Sequence, residues 1–224
     1  MTLPFQSVTF LAPFVELILL YFLSRKLFNQ FARLFQSIIS RTKWIYYSLA
    51  FLFLPGTYIH ELSHYLMAKI LFVPVYGFSL RPKIFGNELR LGHVEVAKSD
   101  FVRRFLVGIA PILFGVTILI GSVYLLFMFN KTHELLFIFG EGFLVFEVAN
   151  TMFMSKKDME GSWKVWIILS LIVVILYFLG LQVEPIVNLL QSNNDFFIHI
   201  SEYLAIPIIL DLFLVMGIGL FLGF

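Results

Sequence analysis

Pro55-Gly56-Thr57-Tyr58-Ile59-His60-Glu61-Leu62-Ser63-His64-Tyr65-Leu66-Met67-Ala68-Lys69-Ile70-Leu71-Phe72 is the apolar end of a longer stretch, 44–72, with two histidines and a glutamate inside it. Helical positions four apart lie on one face, so His60 and His64 aim two imidazoles at one point with Glu61 beside them. This His-Glu-x-x-His spacing gives zinc hydrolases two metal ligands and a general base. Ionisable groups inside an apolar span are costly to bury and default to a functional role. The plainer alternative is that these groups only hydrogen-bond neighbouring helices. Just upstream, Pro55 removes a backbone donor and Gly56 loosens the helix, so a kink or break is expected there.

The rest of the chain suits that setting. Of 224 residues, 60% are hydrophobic and only 13% charged, more apolar side chain than a soluble core of this size can hide. A spanning helix needs roughly 20 apolar residues. Six segments are read as candidate spans, the shorter ones at or below that length: about 8–22, 44–72, 105–129, 135–154, 165–181 and 203–224. Residues 24–43 place Leu27, Phe28, Phe31, Leu34, Phe35 and Ile38 opposite Arg25, Lys26, Arg33 and Arg41, the pattern of an amphipathic helix at a membrane surface. Between the second and third spans, 76–84 and 88–96 alternate in part around Phe85-Gly86-Asn87, which predicts a short β-hairpin. The expected fold is therefore an all-α integral membrane protein. It has about six transmembrane helices, an interfacial amphipathic helix and a short membrane-associated β-hairpin.

This is read as one membrane domain over 1–224, in a prokaryotic cell membrane. Its parts are 1–43 (first span and amphipathic helix), 44–162 (the core with the motif) and 163–224 (two last spans). The N-terminal apolar stretch lacks a basic flank and a cleavage site, and reads as a retained span. With six full spans, the positive charges of 73–104 and 155–164 outnumber those of the opposite side, which holds Arg25, and put both termini in the cytoplasm; a re-entrant or interfacial first segment would reverse this. A net charge of +2 without a basic patch argues against nucleic acid as a partner. The absence of cysteine excludes disulfides and thiolate metal sites.

A catalytic zinc takes three protein ligands and a water. Glu141, Glu147, Asp158, Glu160 and Asp211 are the carboxylate candidates for the third, and composition does not choose among them.

The motif and its setting resemble the site-2 protease family of intramembrane zinc metalloproteases. That family completes its site with a distant Asp in an Asn-x-x-Pro-x-x-Pro-x-Asp-Gly segment. Asn150 and Asp158 reproduce its Asn-to-Asp spacing, although Phe153 and Lys156 stand where the prolines would be and Met159 follows the Asp. Gly108-Ile109-Ala110-Pro111 is similar to the family's Gly-Pro element, and the 76–96 hairpin to its membrane-associated sheet. The resemblance implies one Zn²⁺ held by His60, His64 and Asp158, with Glu61 as general base and Asn150 holding substrate or the reacting oxygen. It implies hydrolysis of peptide bonds in or near transmembrane segments of a membrane-protein or membrane-peptide substrate, in the lipid bilayer. A prenylated-CaaX-type membrane zinc protease, with Glu141 or Glu147 as third ligand, is a second reading. A non-proteolytic metal-binding membrane protein is a third.

Other polar residues carry less. Glu147 shares a helical face with Asn150 and reads as a paired or protonated acid. His93 is a fourth ligand, a latch over the metal, or simply a polar hairpin residue. Asp211 and Glu16 are isolated acids expected to pair or snorkel rather than catalyse, and His133 and His199 have no matching partner in the sequence.

Overall fold

The computed structural model describes residues 9–85, 88–129, 134–153, 158, 167, 170–171 and 192–223. After a short 3-10 turn at Thr9–Leu11, the helices run α1 Ala12–Ile38, α2 Thr42–Leu52 and α3 Leu54–Ile70. Strands follow as β1 Val75–Ser79, β2 Lys83–Phe85, β3 Glu88–Arg90 and β4 His93–Val96. Then come α4 Phe101–Met128, α5 Leu135–Thr151 and α6 Asn194–Leu222.

The protein is mostly helical with a small antiparallel sheet. β1 pairs with β4, from Val75 opposite Val96 to Ser79 opposite His93, with an irregularity between Val75 and Gly77. Inside that pair, β2 and β3 continue toward the tip, Lys83 opposite Arg90 and Phe85 opposite Glu88. The expected hairpin is present, and its base leads His93 and its neighbours back toward α3.

Two of the six expected spans are matched among the described residues. Two described helices, α4 and α6, are long and apolar enough to cross a membrane. The 17 residues of α3 and of α5 make only about 26 Å at 1.5 Å per residue, short of a ~30 Å hydrocarbon layer. The 44–72 segment breaks at Phe53, where Pro55 enters the first turn of α3, so it forms two helices. The candidate span 165–181 lies almost wholly outside the described residues.

The amphipathic helix at 24–43 is also corrected. Through Ile38 it is the second half of α1, which is one continuous helix. Its apolar stripe faces protein: Leu27 is buried, and Phe28 and Phe31 pack with Phe53 and Phe146. Amphipathic periodicity reports that one face is apolar, not whether lipid or protein covers it.

α1 and the turn before it lie parallel to α6, joined at Phe10–Phe197, Glu16–Ser201 and Gln30–Val215. Ser201 donates to Glu16 at 2.5 Å, and the Gln30 amide donates to the Val215 carbonyl at 3.1 Å. Glu16 is therefore paired, as expected. One core cluster joins Leu20 and Leu23 to Leu119, Val123, Val145, Val148 and Leu204, fastening α1 to α4, α5 and α6.

α3 ends in a Schellman turn. Val73 N–H bonds to Ala68 O at 2.8 Å and Phe72 N–H to Lys69 O at 3.1 Å, with Phe72 at φ +57°. This reverses the chain into β1.

Candidate metal centre

The two motif histidines project from the middle of α3 toward the end of α5 and the start of α4. His60 Nδ1 donates to Thr151 O at 2.6 Å, and His64 Nδ1 donates to Val107 O at 2.8 Å. A carbonyl oxygen only accepts, so in each neutral ring Nδ1 carries the proton and Nε2 carries the lone pair. The Nε2 atoms stand 3.2 Å apart, each on the side of its ring away from the carbonyl.

Asp158 comes against the same point. Its carboxylate oxygens lie 3.7 Å from His60 Nε2 and 3.5 Å from His64 Nε2. The ligand atoms of His60, His64 and Asp158 all fall within 4.8 Å of one another, and the three could hold a metal ion. Outer hydrogen bonds from ligand imidazoles to backbone carbonyls fix tautomer and ring orientation at such sites. Thr151 is the last residue of α5, where carbonyls lack helical partners, so its oxygen is available to His60.

The Asp158 backbone reaches this position across Gly108. A Cβ at Gly108 would run into the Asp158 carbonyl oxygen, with the carbonyl carbon 3.3 Å away. The Gly108 position read from the sequence thus has a packing reason.

Glu61 is buried beside the cluster and lines a cavity of about 590 Å³ together with His60, His64, Asn150 and Asp158. β4 and the turn before it form a wall, and Gly92 packs on Glu61: a Cβ there would sit 2.9 Å from Glu61 Cγ. His93 lines the cavity but is no member of the metal cluster; its Nε2 lies 3.6 Å from Glu95. Arg25, Lys98 and Arg104 line the same cavity. This does not fit the opposite-side assignment of Arg25, because α1 runs unbroken past it into the bundle.

Two of the other acids are engaged elsewhere. Glu147 is fully buried and accepts the Gly56 backbone N–H at 2.9 Å. The first N–H groups of a helix have no internal acceptor, so Glu147 caps α3 from the neighbouring helix. Asp211, fully buried on α6, accepts from Asn150 Nδ2 at 2.8 Å. Exposed His199 pairs with Glu202 at 3.0 Å. Glu160, His133 and the Lys156-Lys157 turn lie outside the described residues.

No known family, curated protein or solved structure matches this chain.

The resemblance names His60, His64 and Asp158 as metal ligands, and these three come together in the structure. Sequence reasoning did not find Thr57, Gly92, or the Ser24, Arg25 and Phe28 side of the cavity, contributed by α1. The carbonyls of Val107 and Thr151 are backbone atoms, and the identities of those two residues do not mark them.

Proposed function

We propose that this chain is an intramembrane zinc metalloprotease, a multi-pass membrane protein that hydrolyses peptide bonds in or near transmembrane segments of its substrates. The observation that carries this reading is the convergence of His60 Nε2, His64 Nε2 and the Asp158 carboxylate, with both Nδ1 protons already spent on carbonyls.

The donor set fits zinc. Two ligands at 2.0–2.1 Å and a tetrahedral angle are about 3.4 Å apart, close to the 3.2–3.7 Å separations among these atoms. Two imidazoles and one carboxylate are a catalytic donor set, leaving a fourth position for water. Bound there, zinc would lower the pKa of that water and polarise the scissile carbonyl.

The remaining chemistry falls to the chain. Glu61, one residue after the first ligand, accepts the water proton and returns it to the leaving amine. Burial within the cavity keeps bulk water from competing. Asn150 lines the cavity, and with both amide protons given to Phe146 O and Asp211 its Oδ1 remains to accept a substrate N–H. The substrate must unwind, because helical carbonyls are already hydrogen-bonded, and an extended segment can lie along the wall that β4 provides.

A CaaX-type site would need Glu141 or Glu147 as third ligand. Glu147 is committed to Gly56, and neither acid belongs to the cluster. Glu61 favours an enzyme over a passive metal binder, since holding the ion needs no general base.

The test uses purified protein in detergent micelles. Metal content should fall in Asp158→Ala and stay in Glu147→Ala. Glu61→Gln should keep zinc and lose cleavage of a membrane-peptide substrate. Full activity in Glu61→Gln would sink the proposal.

A further inference from the structure

Pro111 lies in the interior of α4, four residues after Val107. In an unbroken helix the N–H of residue 111 would bond to the carbonyl of residue 107. Proline has no N–H, so Val107 O has no such donor. That oxygen is the one that accepts His64 Nδ1–H at 2.8 Å. Both Pro111 and Val107 are buried, so an unclaimed carbonyl there requires a partner from within the protein.

We infer that Pro111 is a positioning residue of the metal site: it withholds the N–H that would occupy Val107 O and reserves that oxygen for His64. The consequence is local and chemical. With Nδ1–H held by the carbonyl, His64 is fixed in the tautomer whose Nε2 lone pair points at His60 Nε2 and Asp158. An N–H at position 111 would compete for the same oxygen and draw it into the helix. His64 would then be free to rotate or to place its proton on Nε2, where it cannot bind metal. His60 needs no such device, because Thr151 O sits at a helix end.

The inference rests on the metal-site reading, but its test separates the two. Pro111→Ala should fold, because alanine is the best helix former and restores a helical bond. Pro207→Ala is the control, a buried proline inside α6 whose removal changes a helix away from the ligands. The first measurement is the His64 tautomer in metal-free protein, from ¹⁵N–¹H correlations of the imidazole. Wild type and Pro207→Ala should show the Nδ1–H form alone, and Pro111→Ala a mixture of tautomers. The second is Zn²⁺ affinity by competition with a chromophoric chelator. It should fall about tenfold or more in Pro111→Ala, and stay within about twofold of wild type in Pro207→Ala.

An unchanged tautomer and unchanged Zn²⁺ affinity in Pro111→Ala would overturn the inference. Equal losses in both proline variants would overturn it too, by pointing to helix bending in general. If wild type binds no Zn²⁺ the metalloprotease proposal falls, while the tautomer of the metal-free protein still decides the role of Pro111.

Discussion

Asn150 near the end of α5 donates a 2.8 Å hydrogen bond to Asp211 on α6, across 61 residues of sequence. The same amide nitrogen donates to Phe146 O at 2.9 Å, so both of its protons are committed. The side chain is locked by an acid on a different helix. Asp211→Leu should release it and lower kcat/KM about tenfold, the cost of one buried hydrogen bond at ~1.4 kcal/mol. Asp211→Asn keeps an accepting oxygen and should recover most of that loss. Zinc content should be unchanged in both variants. Wild-type kinetics in Asp211→Leu would show that the lock has no role in turnover.

How much of the fold and site is legible in the sequence depends on the range of each interaction. His60, Glu61 and His64 are neighbours on one turn, and helical period alone brings them together. The break before the motif is legible because Pro55 has one local effect. The Asn150–Asp211 bond joins residues far apart, and no periodicity marks it. Residues 24–38 mislead for a physical reason: Phe28 and Phe31 meet Phe53 and Phe146, yet the same stripe would suit a lipid surface equally well. Asp158 is one of five candidate acids, and only the family resemblance, through the Asn150-to-Asp158 spacing, singles it out.

The turn at Phe72 is a strained point of the described backbone. Phe72 has φ +57° and is 88% exposed, so its side chain gives little packing in return. Glycine adopts this region without a Cβ penalty. Phe72→Gly should stabilise the protein by up to about 1 kcal/mol, read as a rise of a few degrees in Tm in detergent. A lower Tm would mean that the exposed ring makes an interaction worth more than the strain.

Asp100 caps α4 by accepting from Val102 N–H at 3.1 Å and Arg103 N–H at 3.0 Å. The Arg103 N–H, followed by the Arg103 charge, holds its carboxyl below the ordinary 3.8 despite some desolvation. A carboxyl with a lowered pKa in the fold contributes stability that is full above its unfolded value and disappears as pH falls through the folded one. Thermal stability should therefore drop below about pH 4, and this component should be absent in Asp100→Asn, whose amide still caps. An identical pH profile in the two proteins would contradict the assignment.

Two glycines at the site should separate binding of metal from use of it. At Gly108 a methyl group would meet the Asp158 carbonyl, which is backbone and cannot swing away. Gly108→Ala must push the third ligand off and should lower Zn²⁺ affinity by about tenfold or more, with activity lost in proportion. At Gly92 the methyl would sit 2.9 Å from Glu61 Cγ and 3.0 Å from Thr57 Cγ2, and neither side chain belongs to the metal cluster. Gly92→Ala should therefore keep wild-type metal content while displacing the general base. A misplaced base should cost at least about a hundredfold in kcat, within the range that positioned proton transfer supplies. Metal loss in Gly92→Ala, or its retention in Gly108→Ala, would mean that the Gly108 wall does not hold the metal ligands and the Gly92 wall does more than seat the base.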